Sequence, residues 1–217
     1  MNAMASANEE SCLREVYYLT KNETKNWRSL LKYGENLDTE IRRKLLWIWP
    51  NEKCLWQLGK ILRQFGIGCL LSIGCGNGLF EWILRESLNV ETYGVEVDRQ
   101  WWCSNYAIKS FIELNYIDSM DVTKDDYLRA CCLRDSWNFA LLFCYFNNRP
   151  AFLQYLNLYK GKWICIIGPL EKRNVYTDPL PLEPNFPQDN DKLKWKLKAS
   201  LKMGENDIMA LYEKQMD

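Results

Sequence analysis

Between residues 68 and 167, short apolar runs alternate with longer amphipathic ones. Cys69–Ile73, Thr92–Val97, Tyr116–Ser119, Phe139–Tyr145 and Trp163–Ile167 are too short for stable helices. Most are almost continuously apolar, as strands covered on both faces of a parallel sheet should be. The segments between them, Leu79–Ser87, Gln100–Glu113, Asp125–Leu133 and Arg149–Leu158, have the length and spacing of the crossover helices that parallel neighbours require. Past Gly168 the alternation stops, and Pro169, Pro179, Pro181, Pro184 and Pro187 impose an extended loop over residues 169–190. Leu193, Trp195, Leu197, Ala199 and Leu201 then alternate with Lys194, Lys196, Lys198 and Lys202. After a turn at Gly204 to Asn206, the run Asp207–Glu213 returns with Ile208, Ala210 and Tyr212 on one face. This pattern predicts an α/β fold: a doubly wound, mostly parallel seven-stranded sheet that ends in an antiparallel hairpin.

Ahead of the sheet the period is helical. Residues 1–10 have no hydrophobic period and read as a mobile tail. A weak helical pattern lies between Ser11 and Leu31. From Asp38 or Thr39 as cap, Ile41, Leu45, Leu46 and Ile48 recur at helical spacing until Pro50. Asn51 caps a further helix with Leu55, Leu58, Ile61, Leu62 and Phe65 as its apolar stripe, and Gly66 stands where a left-handed C-terminal residue belongs.

Composition narrows the chemistry. A chain of 217 residues can bury roughly two-thirds or more of its unfolded surface, so one domain needs no covalent staples. The 28 basic and 28 acidic side chains cancel, which removes any whole-molecule attraction to nucleic acid or to an anionic membrane. No apolar run approaches the roughly twenty residues that span a bilayer, the longest being Phe139–Phe146. Nine cysteines, an odd number, and no secretory leader pattern point to a reduced intracellular protein, cytoplasmic or nuclear. Histidine is absent, which excludes Ser-His and Cys-His nucleophiles, histidine metal ligands and an imidazole base.

One segment concentrates the remaining candidates. Leu70-Leu71-Ser72-Ile73-Gly74-Cys75-Gly76-Asn77-Gly78 places a strand directly before a glycine-rich turn, with a helix opening at Leu79. Glycines serve where backbone must turn sharply and approach a ligand closely, and the helix N-terminus beyond offers unpaired N–H groups. The spacing is Gly-x-Gly-x-Gly. A dinucleotide fingerprint wants its third glycine one residue later, where Leu79 stands, so the NAD reading loses support. Glu96 lies at the end of the second strand, about twenty residues on, where a carboxylate can accept both ribose hydroxyls of an adenosine-containing ligand.

On these residues the chain resembles the class I S-adenosylmethionine (SAM) dependent methyltransferase superfamily, over residues 66 to 214. Gly74, Gly76 and Gly78 match its first motif, and Glu96 in Tyr93-Gly94-Val95-Glu96-Val97-Asp98 its second. The antiparallel terminal hairpin is also typical of the family. The resemblance implies a Rossmann-like SAM-binding domain over 67–217 behind a helical extension over 11–66. It implies SAM as cofactor, an unidentified acceptor as second substrate, and a cofactor site formed by Ser72, Gly74, Cys75, Gly76, Gly78, Glu96 and an acid near the adenine amino group, Asp121 or else Asp118. Two departures stand out. Ser72 replaces the acidic residue that opens the first motif, with Glu81 nearby as a source of charge. After the fourth strand, Phe143-Cys144-Tyr145-Phe146-Asn147-Asn148-Arg149-Pro150 is not the Asn/Asp-Pro-Pro-aromatic pattern of amino-group methyltransferases.

Each candidate also has a plain structural reading. Tyr145 and Phe146 suit either stacking on a planar acceptor or simple packing, and Trp101 and Trp102 either enclose the ligand or join the core. Adjacent Cys131 and Cys132 read as core thiols, and the lysines from 192 to 202 as a solvated strand face that discourages edge pairing. The expected function is therefore SAM-dependent methyl transfer with no catalytic residue assigned. The alternative is a non-catalytic protein of the same fold, a SAM sensor or a scaffold for a protein partner.

Overall fold

The computed structural model describes residues 2–21, 26–117, 127–170, 176–187 and 194–215, with backbone alone for 2–8 and 194. Its sheet comprises β1 (Cys69–Ile73), β2 (Glu91–Glu96), β3 (Leu114–Tyr116), β4 (Ala140–Cys144), β5 (Trp163–Pro169), β6 (Lys194–Lys202) and β7 (Asp207–Gln215), in the order β3-β2-β1-β4-β5-β7-β6. The first five strands are parallel, β7 runs antiparallel to β5, and β6 pairs antiparallel with β7 at the edge. The helices are α1 (Asn2–Lys21), α2 (Trp27–Glu35), α3 (Thr39–Leu45), α4 (Glu52–Gln64), α5 (Leu79–Leu88), α6 (Arg99–Trp102), α7 (Tyr127–Cys131) and α8 (Arg149–Leu158).

Alternate side chains of the strands supply the two layers of core. On one face Leu70, Leu142, Ile167 and Leu211 pack with α5 and with Leu30, Leu55 and Leu58 of the N-terminal helices. On the other, Leu71, Ile73, Phe143, Ile164 and Ile166 pack with Leu128 of α7 and Phe152, Tyr155 and Leu156 of α8. The N-terminal helices thus share a core with α5. Their caps are the expected ones: the Asn51 side chain accepts from Cys54 N at 2.8 Å, Asp38 from Glu40 N at 2.8 Å, and Gly66 ends α4 with a φ of 67°.

Several elements depart from the pattern. The helix expected over Gln100–Glu113 stops at Trp102. Beyond it the Ser104 hydroxyl accepts from Tyr106 N at 3.2 Å, a local bond that competes with helix, and Phe111 N donates to Asn77 O at 2.8 Å. That second bond ties the segment across the glycine turn, where Ile112 fills the space that side chains at Gly78 and Gly94 would need. Strand three begins at Leu114, two residues upstream of expectation, and Asp118 and Ser119 lie outside the described residues. The pattern between Ser11 and Leu31 resolves into α1 and α2. α1 starts at Asn2, because Ala3, Met4, Ala5 and Ala7 favour helix without any hydrophobic period. α3 ends at Leu45 rather than Ile48, since Leu46 turns extended and lets the Trp49 indole donate to Leu31 O at 3.2 Å. In β6 a bulge between Leu197 and Ala199 breaks the alternation, and Lys198 joins Lys162 on Glu213, whose carboxyl these two ammonium groups hold down at about 2.

Trp49 also explains a helical glycine. A β-carbon on Gly34 would lie 1.8 Å from the indole, so Gly34→Ala is expected to cost about 2 kcal/mol through overpacking rather than stabilise α2. Urea denaturation of the variant checks this, and an unchanged or raised midpoint refutes it.

Candidate functional site

The chain runs outward from β1 in two directions, through β2 to β3 and through β4 to β5, so the loops after β1 and β4 diverge. A crevice opens at such a switch point. Here it is lined from β1 by Ile73 and Gly74, from β2 by Glu96 and Val97, and from β4 by Tyr145, Phe146, Asn147 and Asn148, with a volume of about 680 Å³. A second cavity of about 260 Å³ shares Gly74 and Tyr145 with it and continues past Cys75, Gly76 and Glu81 to Arg43, Leu46, Trp47 and Trp102. A separate cavity of about 400 Å³, lined by Arg85, Glu91 and Leu133, touches none of the glycine turn.

Gly74, Gly76 and Gly78 have φ of 68°, 63° and 75°, a left-handed region that costs an L side chain roughly 1–2 kcal/mol. Their surroundings differ. A β-carbon on Gly76 would meet only Trp102, at 3.9 Å, so this residue presents bare backbone to open space. On Gly74 it would come within 3.1 Å of the Phe146 ring, and on Gly78 within 2.4 Å of Ile112. Gly76 therefore faces the cavity, whereas Gly78 is required by the packing of Ile112 and the entry into α5.

Glu96 closes β2 and braces the turn. Its Oε1 accepts from Gly76 N at 2.6 Å and its Oε2 from Val97 N at 3.3 Å, with the Trp102 indole N–H as a further donor. Burial raises its pKa, the three N–H donors lower it, and the net direction is upward. Asp98 is placed otherwise: its carboxylate caps α6, accepting from Trp101 N at 2.8 Å. Cys75 lines the second cavity, its thiol pushed well up by burial and by the charges of Glu81 and Glu96.

Ser72 lines neither cavity. It is fully buried on β1, and its hydroxyl donates to Glu81 Oε1 at 2.6 Å. Glu81, in the first turn of α5, is itself buried, its pKa raised to about 7 by burial against the opposing pull of the Ser72 hydroxyl. Its Oε2 has no hydrogen-bond partner among the described residues. Asp121 and Asp118 lie outside the described residues.

The mouth of the crevice carries features that sequence patterns did not signal. Tyr145 adopts a φ of 52°, uncommon for an aromatic residue, and its hydroxyl donates to Asp207 at the start of β7. Trp47 stacks on the Tyr145 ring with centroids 5.8 Å apart and an interplanar angle of 14°. Both contacts join segments far apart in the chain, and no local motif announces them.

The strand order, with one antiparallel strand inserted between β5 and the edge, decides the architecture. This is the class I methyltransferase fold. No family model matches the chain, and no curated protein matches it. Among solved structures, the O-methyltransferase from Bacillus cereus in complex with SAH is 11% identical over 94% of this chain and 99% of its own, with a TM-score of 0.47. The magnesium protoporphyrin IX methyltransferase from Synechocystis PCC 6803 with bound SAH is 9% identical over 92% and 97%, with a TM-score of 0.46. A SAM dependent methyltransferase from Archaeoglobus fulgidus is 16% identical over 75% and 96%, with a TM-score of 0.38. Among the described residues, no helix of this methyltransferase-fold chain is long and apolar enough to cross a membrane.

Proposed function

We propose that the chain binds SAM in the paired cavities and directs its methyl group to an acceptor nucleophile entering at the crevice mouth. The observation that carries this reading is the turn at Gly76. Its backbone lies bare against open space, and its N–H is held by the carboxylate that closes β2. The residues present fit the cofactor. Glu96 has lone pairs left for ribose hydroxyls, and Val97, Ile117 and Phe146 give the larger cavity an apolar lining suited to a purine. Two buried carboxyls with raised pKa, Glu81 and Glu96, make the site receptive to positive charge.

When bound, SAM supplies a methyl group on a sulfonium sulfur, a leaving group that departs without an acid. What remains for the chain is to hold two reactants in line, which can supply roughly 7–11 kcal/mol of a barrier. Tyr145 lines both cavities and is fixed by Asp207 and Trp47, so it sets the boundary between cofactor space and acceptor space. The Tyr145 hydroxyl is held strongly protonated by burial and by Asp207, so it serves as a donor and a wall rather than as a base. The odd number of cysteines suits a reduced compartment, cytoplasmic or nuclear.

Calorimetric titration with SAM and with S-adenosylhomocysteine (SAH) tests the reading. Dissociation constants in the micromolar range are expected. Absence of binding heat together with an unchanged melting temperature at millimolar ligand overturns it, and the fold then serves as a scaffold.

A further inference from the structure

We infer that Glu81, oriented by the Ser72 hydroxyl, is the receptor for a primary ammonium group at the inner end of the smaller cavity, so that the carboxylate missing from β1 is delivered from helix α5 instead. The inference rests on the cofactor reading above and assigns the amino-acid end of that ligand.

The geometry is specific. In the first turn of a helix a glutamate commonly folds back onto the cap residue. Here the cap is Gly78, whose N–H is already donated to Cys75 O at 3.2 Å, and Glu81 turns inward to Ser72. The 2.6 Å bond places its carboxylate beside the strand residue that stands two positions before Gly74. A short side chain on the strand and a longer one from the helix thereby bring an acid to the place where the family carries one on the strand itself.

The remaining oxygen needs a partner. Glu81 Oε2 is buried and unpaired among the described residues, and Glu81 lines the smaller cavity together with Cys75, Gly76 and Trp102. A buried carboxyl oxygen left without a donor is costly, and native structures rarely retain one without a use. Its neighbours do not neutralise it. Glu96 carries the same charge, and Cys75 and Cys144 are thiols that burial keeps protonated. Among the described residues Arg85 is the cation that lowers its pKa, and its guanidinium is engaged by Thr92 O at 2.5 Å. Arg43 and Lys44 also line the cavity, but both are exposed, and Lys44 pairs with Glu9 at 2.8 Å. A ligand ammonium supplies both the missing donor and the missing charge.

The consequence is a proton linkage. Without ligand, burial holds the Glu81 carboxyl up at about 7, so a proton competes for it near neutrality. An ammonium group requires the carboxylate, and its binding expels that proton. Affinity for an ammonium-bearing ligand therefore rises with pH up to and through neutrality. Glu96 also has a raised pKa and faces the same site, but its contribution acts on the ribose and is common to ligands with and without an ammonium.

Two probes separate these effects: SAH, which carries the ammonium, and 5′-methylthioadenosine, which keeps the nucleoside and sulfur but lacks it. Titrated into the unaltered chain, SAH is expected to bind roughly tenfold or more tightly at about pH 7.5 than at about pH 5.5, with a much smaller change for methylthioadenosine. Glu81→Gln should weaken SAH about tenfold or more and remove that excess pH dependence, while leaving methylthioadenosine affinity and the ligand-free melting temperature nearly unchanged. Ser72→Asp added to Glu81→Gln should return most of the SAH affinity. If the pH dependence is the same for both ligands, or if Glu81→Gln weakens both or neither, the assignment of Glu81 is overturned and the cofactor reading stands. If the unaltered chain binds neither probe, the cofactor reading falls and this assignment with it.

Discussion

Replacing Gly76 with Arg is expected to abolish detectable SAH binding while the chain keeps its fold. The β-carbon at this position points into open space, with Trp102 at 3.9 Å as its nearest contact, so a long side chain extends into the cavity without striking the core. The variant still has to hold an L residue at a φ of 63°, a strain of roughly 1–2 kcal/mol. For a chain of this size that lowers the melting temperature by roughly 2–8 °C, which leaves the protein folded at room temperature. Gly76→Ala carries the same strain with little added volume, so it isolates the backbone effect and should keep measurable affinity. Circular dichroism on both variants confirms the fold. Micromolar SAH binding by Gly76→Arg would place the ligand elsewhere.

The glycine turn was legible because its requirement is local. A strand that ends in a sharp, left-handed turn needs residues without a β-carbon, and the need is written in consecutive positions. The three glycines nevertheless meet three different neighbours: Gly74 has Phe146 above it, Gly76 has open space, and Gly78 has Ile112. Spacing alone cannot rank them. Glu96 was legible through its distance from the turn, since a strand, a crossover helix and a second strand occupy a nearly fixed length. The early end of α6 was not, because residues 103–113 are held in irregular form by contacts with Asn77 and Gly78, which an amphipathic pattern does not encode. The same limit hid the contribution of the N-terminal segment. Leu46 and Trp47 reach the cavity because α3 ends at Leu45 and the chain turns extended there. Ser72 looked like a lost carboxylate when read by position. The bond to Glu81, nine residues away, gives that serine a role that no single motif position contains.

Glu96→Ala is expected to weaken SAH at least tenfold and, unlike an ordinary surface change, to cost stability as well. A strand-end carboxylate at a cleft mouth would be half solvated, and its removal would cost about 0.5 kcal/mol or less. Glu96 is instead 9% exposed and accepts from Gly76 N at 2.6 Å. Alanine leaves that N–H and the Trp102 indole without their acceptor, for a cost of roughly 1–3 kcal/mol. Part of this is returned, because a carboxylate whose pKa burial has raised no longer has to be kept charged in the interior. The sign of that last contribution is set by pH. A carboxyl with a raised pKa disfavours the folded state once the pH passes above its unfolded value, so the stability lost in Glu96→Ala should be smaller at neutral pH than at about pH 4. The loss in ligand affinity follows from charge-assisted bonds to the ribose, each worth roughly 1.5–3 kcal/mol, together with a Gly76 turn no longer held in place. Asp98 provides the comparison. Its carboxylate is committed to Trp101 N at 2.8 Å, so Asp98→Ala should loosen α6 by about 1 kcal/mol and reduce SAH affinity less than threefold. Parallel titrations distinguish the two carboxylates. A larger loss of affinity in Asp98→Ala than in Glu96→Ala would mean that the ribose is held from the start of α6, and that Glu96 serves only to brace the glycine turn.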